Sequence, residues 1–211
     1  MDVYLFSGLG ADERLFRGLD LGQASLHFIR WPMPLAGEKL EDYANRVSKQ
    51  VLSSNSVLIG VSFGGMVATE VAKIIPHRML ITISSANQPS HLPYLITVAR
   101  YMGLHRFAGI IRSSIGMWIF TKVMGTVDRE HQQLLQEMLR DTPSQFIKSA
   151  LPMLMNWKPE IPAPRAITIH GKDDHIIPAR HENDLILPGG HAIVLTRARE
   201  ISCFVRQKLG C

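Results

Sequence analysis

A serine flanked by glycines is the feature of this sequence best suited to chemistry. Residues 60–64 read GVSFG, with Ser62 at the centre. They follow the apolar run 56–59 and precede segment 65–72, which has the composition of a helix. Glycines two positions before and after Ser62 let neighbouring backbone approach a tight bend that exposes the hydroxyl above a helix N-terminus. The bare pattern also occurs in ordinary glycine turns, so the flanking strand and helix are what favour a nucleophilic serine.

Two later segments supply the base and the acid that a nucleophilic serine requires. Residues 169–178 read IHGKDDHIIP and residues 187–191 read LPGGH. Each begins where a predicted strand ends, so both should lie at the sheet edge that carries Ser62, in the chain order serine, acid, histidine. The candidate acids are Asp173 and Asp174, and the candidate bases are His191, His170 and His175. The other histidines have no motif around them: His27, His77, His91, His105, His131 and His181.

Apolar runs that alternate with helical patterns predict the scaffold that positions these residues. Strands are predicted at 3–6, 26–31, 57–61, 78–84, 165–170 and 184–187, and helices at 41–52, 63–75 and 192–209. Strands alternating with helices predict an α/β fold, with a mostly parallel sheet of about six strands and helices on both faces. Sites in such sheets lie beyond the carboxyl ends of the strands.

Segment 87–164 interrupts this alternation. It contains no convincing strand, and its candidate helices span 92–101, 106–124, 129–140 and 143–155, with Asp128 as a candidate cap for the third. The segment is rich in methionine and aromatic residues, which at helical spacing more often pack a core than form a ligand cage. A helical insertion here would nevertheless lie over the strand ends, as a lid with an apolar underside.

Together these segments resemble the α/β-hydrolase family, and the resemblance covers nearly the whole chain. Residues 60–65 look like the family's nucleophile elbow, 171–178 like its acid loop and 189–191 like its histidine loop. The resemblance implies that Ser62 is the nucleophile, Asp174 the orienting acid and His191 the general base. It also implies a core of residues 1–86 and 165–211 with a helical lid, residues 87–164, inserted in it.

The resemblance extends to an oxyanion hole, with two departures nearby. The implied donors are the backbone N–H groups of Phe63 and of Leu9, which lies in the loop 7–12 after the first strand. Ser7 stands where the family usually has histidine. After Trp31 the chain reads PMPL in place of the family's glycine-containing turn, which we interpret as a stiff apolar loop without catalytic meaning. The family's first hairpin also has no counterpart, so six strands are expected rather than eight.

Composition excludes several other classes of protein. The chain has 211 residues, 46% of them hydrophobic and 19% charged, as expected for one globular domain or a core with an insertion. The net charge of +5 includes no dense basic tract, so we expect no nucleic-acid partner. No run of about 18 apolar residues predicts a membrane span. Two cysteines and an N-terminus without a signal peptide favour the cytoplasm. The histidines lack metal-ligand spacing, so we expect no metal and no cofactor.

The expected activity is acyl transfer to water. Ser62 would attack an ester-type bond of a small, largely apolar substrate and form an acyl-enzyme, as in a carboxylesterase. The same three residues would serve a thioesterase, a carbon–carbon bond hydrolase or an acyltransferase, and a non-catalytic ligand-binding relative of the family is a further alternative. The oligomeric state is not predicted.

Overall fold

The fold is built on a six-stranded parallel sheet, in a computed structural model that describes residues 1–93, 113–125 and 128–210. The strands lie in the order β2-β1-β3-β4-β5-β6, and every neighbouring pair is parallel. Their bounds are β1 Asp2–Phe6, β2 Ser25–Phe28, β3 Val57–Val61, β4 Met79–Ile83, β5 Ile167–Gly171 and β6 Leu185–Leu187. Because all six run the same way, all their carboxyl ends meet at one edge, and the predicted fold class is confirmed.

Helices cover both faces of this sheet. They are α1 Leu40–Ser48, α2 Phe63–Ala72, α3 Ser114–Val123, α4 Arg129–Asp141, α5 Ser144–Met155, α6 Ile193–Thr196 and α7 Ala198–Leu209. Short 3-10 helices occupy Glu13–Phe16 and Pro89–His91. No helix in the described ranges is both long and apolar enough to cross a membrane.

The side chains of each central strand point alternately to the two faces of the sheet, so the hydrophobic core has two parts. Val3 and Leu5 of β1 pack on one face, against α6 and α7. Tyr4 and Phe6 of the same strand pack on the other face, against α1 and α2. Side chains of a strand point alternately to its two faces, so one apolar run supplies both cores. Most buried residues of the segment between β4 and β5 join these cores: Leu134, Leu135, Met138, Phe146, Ala150, Met153 and Trp157. Met117, Leu139 and Ile147 form a small third cluster, against which Leu9 packs.

Several predicted helix bounds were wrong. The C-terminal helix is not continuous, because Arg197 leaves helical geometry at φ −130° and its guanidinium Nε donates to the Pro188 carbonyl. Helix α1 ends at Ser48 instead of residue 52, and α2 ends at Ala72 instead of residue 75. The predicted helix 92–101 lies almost entirely outside the described residues, as does the first part of 106–124. Asp128 caps α4 as predicted, since its carboxylate accepts from the His131 N–H at 2.8 Å.

A buried carboxylate ties the segment between β4 and β5 to helix α2. Glu70 is 3% exposed, and its Oε1 accepts from Lys73 Nζ and from Trp157 Nε1, each at 2.7 Å. Trp157 follows α5 directly. A buried carboxylate that loses a hydrogen-bond donor is left partly unsatisfied at a cost of about 1–3 kcal/mol, so the indole N–H of Trp157 helps to fix where the chain returns to the sheet.

Candidate active site

Ser62 lies on a strained turn between β3 and α2. Its backbone has φ 54° and ψ −122°, a left-handed conformation that costs a residue with a Cβ on the order of 1–3 kcal/mol. Contacts on both sides hold the turn: the Ser62 N–H donates to the Ile83 carbonyl at 3.0 Å, and the Ser85 hydroxyl donates to the Ser62 carbonyl at 2.7 Å. The turn therefore directs the Ser62 side chain away from the sheet, and the residue is partly exposed.

Two glycines make this turn possible. A Cβ at Gly60 would lie 2.5 Å from the Gly64 carbonyl oxygen, and a Cβ at Gly64 would overlap the Phe6 carbonyl. Either collision involves backbone, which cannot move aside as a flexible side chain can. The spacing of glycines around Ser62 in the sequence thus reflects a close approach between β1, β3 and α2.

His191 lies between Ser62 and Asp174. Its Nε2 is 2.8 Å from Ser62 Oγ, and its Nδ1 is 2.8 Å from Asp174 Oδ2. An ionised carboxylate can only accept, so the proton of the neutral imidazole belongs on Nδ1. Nε2 is then free to accept from the Ser62 hydroxyl. The three predicted residues therefore form a continuous hydrogen-bonded chain.

Asp174, and not its neighbour Asp173, completes this chain. Asp174 is buried, and its second oxygen, Oδ1, accepts from the N–H groups of Ile176 and Ile177 at 2.9 Å each. These bonds fix the plane of the carboxylate so that Oδ2 faces His191. Asp173 is exposed and contributes its backbone N–H to the Gly189 carbonyl.

The rival histidines of the acid loop do not contact Ser62 in the described structure. His170 is buried behind Asp174, with Nε2 donating to the Ile177 carbonyl at 3.0 Å and lying 3.9 Å from Asp174 Oδ2. Burial lowers the pKa of His170 below its ordinary value of 6.5, although the nearby Asp174 charge opposes this. His175 is exposed. His105 lies outside the described residues.

The loop after β1 lies against Ser62. A Cβ built on Gly8 would stand 3.6 Å from Ser62 Cβ, which places the backbone of residues 7–11 beside the nucleophile candidate. Within the described residues, neither the Leu9 N–H nor the Phe63 N–H donates a hydrogen bond to a protein group. Neither predicted donor is therefore occupied by a protein acceptor in this part of the chain.

A small apolar cavity opens beside Ser62 and His191, with a volume of about 30 Å³. It has the loop 8–11 on one side and apolar side chains on the others. These side chains are Leu9, Leu15, Phe120, Met124, Leu135 and Val194. Phe120, Met124 and Leu135 come from the segment between β4 and β5, whose contribution to the site the sequence did not assign to particular residues. The sequence showed that these residues recur at helical spacing, but which of them face Ser62 depends on how α3 and α4 pack.

No group of three or more His, Cys, Asp or Glu side chains in the described ranges could hold a metal ion. The arrangement of Ser62, His191 and Asp174 can transfer a proton from a hydroxyl to an imidazole, which is the chemistry of nucleophilic catalysis.

Comparison with known proteins identifies a matching family and a similar protein. The sequence model of the Alpha/beta hydrolase family matches residues 5–202. A pimeloyl-[acyl-carrier protein] methyl ester esterase of Shewanella woodyi is 25% identical over an alignment of 237 positions, which covers 94% of this chain and 90% of that protein.

Solved structures share the fold at low sequence identity. An esterase from Exiguobacterium antarcticum superposes with a TM-score of 0.77 at 16% identity, covering 100% of this chain and 92% of the other. An enol-lactonase from Burkholderia xenovorans gives 0.74 at 15% identity, covering 100% and 91%. Likeness at these identities establishes the common fold and nothing finer.

Proposed function

Because the chain belongs to the alpha/beta hydrolase family, we propose that it is a serine hydrolase that cleaves ester bonds through an acyl-enzyme on Ser62. The observation that carries the proposal is the unbroken chain of hydrogen bonds from Ser62 through His191 to Asp174. The name of the Shewanella woodyi relative, a methyl ester esterase, supports an ester as the substrate class.

The proposed reaction begins when His191 Nε2 takes the Ser62 proton as Ser62 Oγ attacks the ester carbonyl. The carbonyl oxygen becomes an oxyanion, which the N–H groups of Leu9 and Phe63 stabilise. One such donor is worth roughly 10²–10³ in turnover. Collapse of this intermediate passes the proton from His191 to the departing alcohol and leaves the acyl group on Ser62. Water then attacks the acyl-enzyme with His191 again as base, and the carboxylic acid is released.

Asp174 remains ionised throughout the proposed cycle. It holds His191 in the tautomer with the proton on Nδ1, and it stabilises the imidazolium that forms when Nε2 accepts the Ser62 proton. Its two bonds from the backbone of the acid loop keep the carboxylate oriented between turnovers.

The substrate that we propose has a small apolar group on one side of the ester. The cavity beside Ser62 is small, with a volume of about 30 Å³. An acyl or alcohol part of one or two carbons suits this space, and a longer one requires the surrounding side chains to move. We also propose that residues 87–164 form a helical lid on the core of residues 1–86 and 165–211, since Phe120, Met124 and Leu135 line the same cavity.

A fluorophosphonate probe tests the proposal directly, because it phosphonylates an activated serine. We expect intact mass to show one added phosphonate on the wild-type protein and none on Ser62→Ala. Ser56→Ala is a matched control, since Ser56 is buried immediately before β3, the strand that Ser62 follows, and its hydroxyl has no partner among the described residues. Turnover of p-nitrophenyl acetate should follow the labelling.

Each outcome has a distinct meaning. A folded wild-type protein that is neither labelled nor active would refute the serine hydrolase and favour a ligand-binding relative. Labelling with faster turnover of acyl thioesters than of esters would keep the nucleophile and change the substrate class.

A further inference from the structure

Ser7 is one of the two departures from the family pattern near the oxyanion loop, and it contacts Trp31, which immediately precedes the other. The Trp31 indole Nε1 donates to the Ser7 hydroxyl at 2.9 Å, and that hydroxyl donates to the Ala11 carbonyl, also at 2.9 Å. An indole N–H can only donate and a carbonyl can only accept, so the direction of this chain is fixed. Ser7 is buried, so water competes little for either bond.

These two bonds close the loop that contains Leu9. The Ala11 N–H donates to the Gly8 carbonyl at 3.1 Å, which makes residues 8–11 a compact turn, and the Ser7 hydroxyl holds the far end of that turn through Ala11. The sheet brings the two partners together. Ile29 pairs with β1 through its N–H to the Leu5 carbonyl at 3.0 Å, so residues just after β2 and just after β1 leave the sheet side by side.

The Trp31 ring also packs against the second proposed donor. Its centroid lies 5.6 Å from that of Phe63, the residue whose N–H follows Ser62, and 6.4 Å from that of Phe146 in α5. One side chain therefore contacts both segments that would bind the oxyanion. It reaches the Leu9 loop by a hydrogen bond through Ser7, and the first turn of α2 by aromatic packing.

We infer that Trp31 and Ser7 are positioning residues that together hold the Leu9 and Phe63 N–H groups at the spacing that an oxyanion requires. The inference rests on the proposed function. It differs from the interpretation of the segment after Trp31 as a stiff loop with no catalytic meaning, because the indole at the start of that segment is bonded to the loop that contains Leu9 through Ser7.

Trp31→Phe and Ser7→Ala test the inference. Trp31→Phe removes the indole donor and keeps an aromatic ring, and Ser7→Ala removes the hydroxyl that takes part in both bonds and should therefore be at least as damaging. A net hydrogen bond of about 0.5–1.5 kcal/mol corresponds to a loss of roughly 3- to 10-fold in kcat if it acts on the transition state. We expect that loss in each variant with KM for p-nitrophenyl acetate almost unchanged. The double variant should be no worse than the more damaged single one, because the two bonds act in series.

Tyr43→Phe is the matched control. Tyr43 is buried in the same aromatic cluster, and its hydroxyl donates to the Pro32 carbonyl at 2.9 Å without reaching the loop 7–11. It loses a comparable bond next to Trp31, so a general loosening of the cluster would slow all three variants. We expect kcat of Tyr43→Phe to stay within about twofold of wild type.

Hydrogen exchange gives a readout that does not depend on turnover. In Trp31→Phe and Ser7→Ala, the amide of Ala11 should exchange faster than in wild type, whereas Tyr43→Phe should leave it unchanged. Unchanged exchange in the first two variants, a loss confined to KM, or losses that multiply in the double variant would each overturn the inference. Failure of the proposed function would look different, because the wild-type protein itself would then lack both labelling and turnover.

Discussion

Asp174→Asn should nearly abolish turnover while preserving the fold. Asp174 Oδ1 accepts two backbone hydrogen bonds, and the amide oxygen of asparagine can keep both. The amide nitrogen then takes the place of Oδ2, 2.8 Å from His191 Nδ1. Two donors cannot face each other at that distance, so His191 must move its proton from Nδ1 to Nε2.

The tautomer determines the size of the effect. With its proton on Nε2, His191 donates to Ser62 and cannot take the Ser62 proton. An equivalent change in another serine hydrolase lowers kcat by about 10⁴-fold, which corresponds to about 5 kcal/mol of lost transition-state stabilisation. Because the binding cavity is not altered, KM should change little.

The assay compares kcat and KM of Asp174→Asn and Asp173→Asn with p-nitrophenyl acetate, with circular dichroism to verify folding. Asp173 is exposed one position earlier in the chain, so its variant should stay within about twofold of wild type. Peptide mass must show that the asparagine has not deamidated. If folded Asp174→Asn keeps more than a tenth of wild-type turnover, or if Asp173→Asn is the more damaged variant, the assignment of the acid is refuted.

Two further predictions concern the cavity and the buried histidine. Met124→Ala should enlarge the cavity beside Ser62. The ratio of kcat/KM for p-nitrophenyl butanoate over acetate should then rise by about 15-fold, because two further methylenes are buried at about 0.8 kcal/mol each. Val123→Ala, on the neighbouring exposed residue, should leave the ratio unchanged, and an unchanged ratio in Met124→Ala would show that Met124 does not limit the cavity. Burial lowers the pKa of His170 below 6.5, so the unfolded chain binds a proton there at a higher pH than the folded one. The free energy of unfolding should therefore fall as the pH drops from 7 to 5. In urea titrations at the two pH values, His170→Gln should show a smaller fall than wild type, and an equal fall would contradict the assignment of this pH dependence to His170.

Much of the site could be read from the sequence because its residues come with local signals. Ser62 has glycines that the turn demands, and Asp174 and His191 follow short apolar strands directly. Parallel strands end at one edge, so three distant segments could be brought together without knowing any helix packing. The backbone N–H groups of Leu9 and Phe63 were assigned from the resemblance of the loop and the turn to the family pattern, and their role as oxyanion donors stays a prediction.

Other features depend on tertiary packing and left no local signal. The break at Arg197 contains neither glycine nor proline, and it arises where the Arg197 side chain reaches Pro188. The bond from Trp31 to Ser7 joins residues 24 positions apart, and each residue alone read only as a departure from a pattern. Which side chains of α3 and α4 face Ser62 depends on their rotation about the helix axis, which apolar spacing constrains only loosely.

The anchorage of Trp157 on Glu70 has a consequence for how this protein can diversify. Glu70 belongs to α2, the helix that Ser62 precedes. The segment between β4 and β5 is therefore anchored at its end, through Trp157, to the helix that holds the nucleophile candidate in place. Mutations upstream of Trp157 can therefore reshape the approach to the reactive hydroxyl while the end of the stretch stays anchored to α2, except at Phe146, whose ring packs against Phe63 beside Ser62. Selection for new substrates is free to work on that stretch, provided that the indole and the carboxylate at its exit are retained.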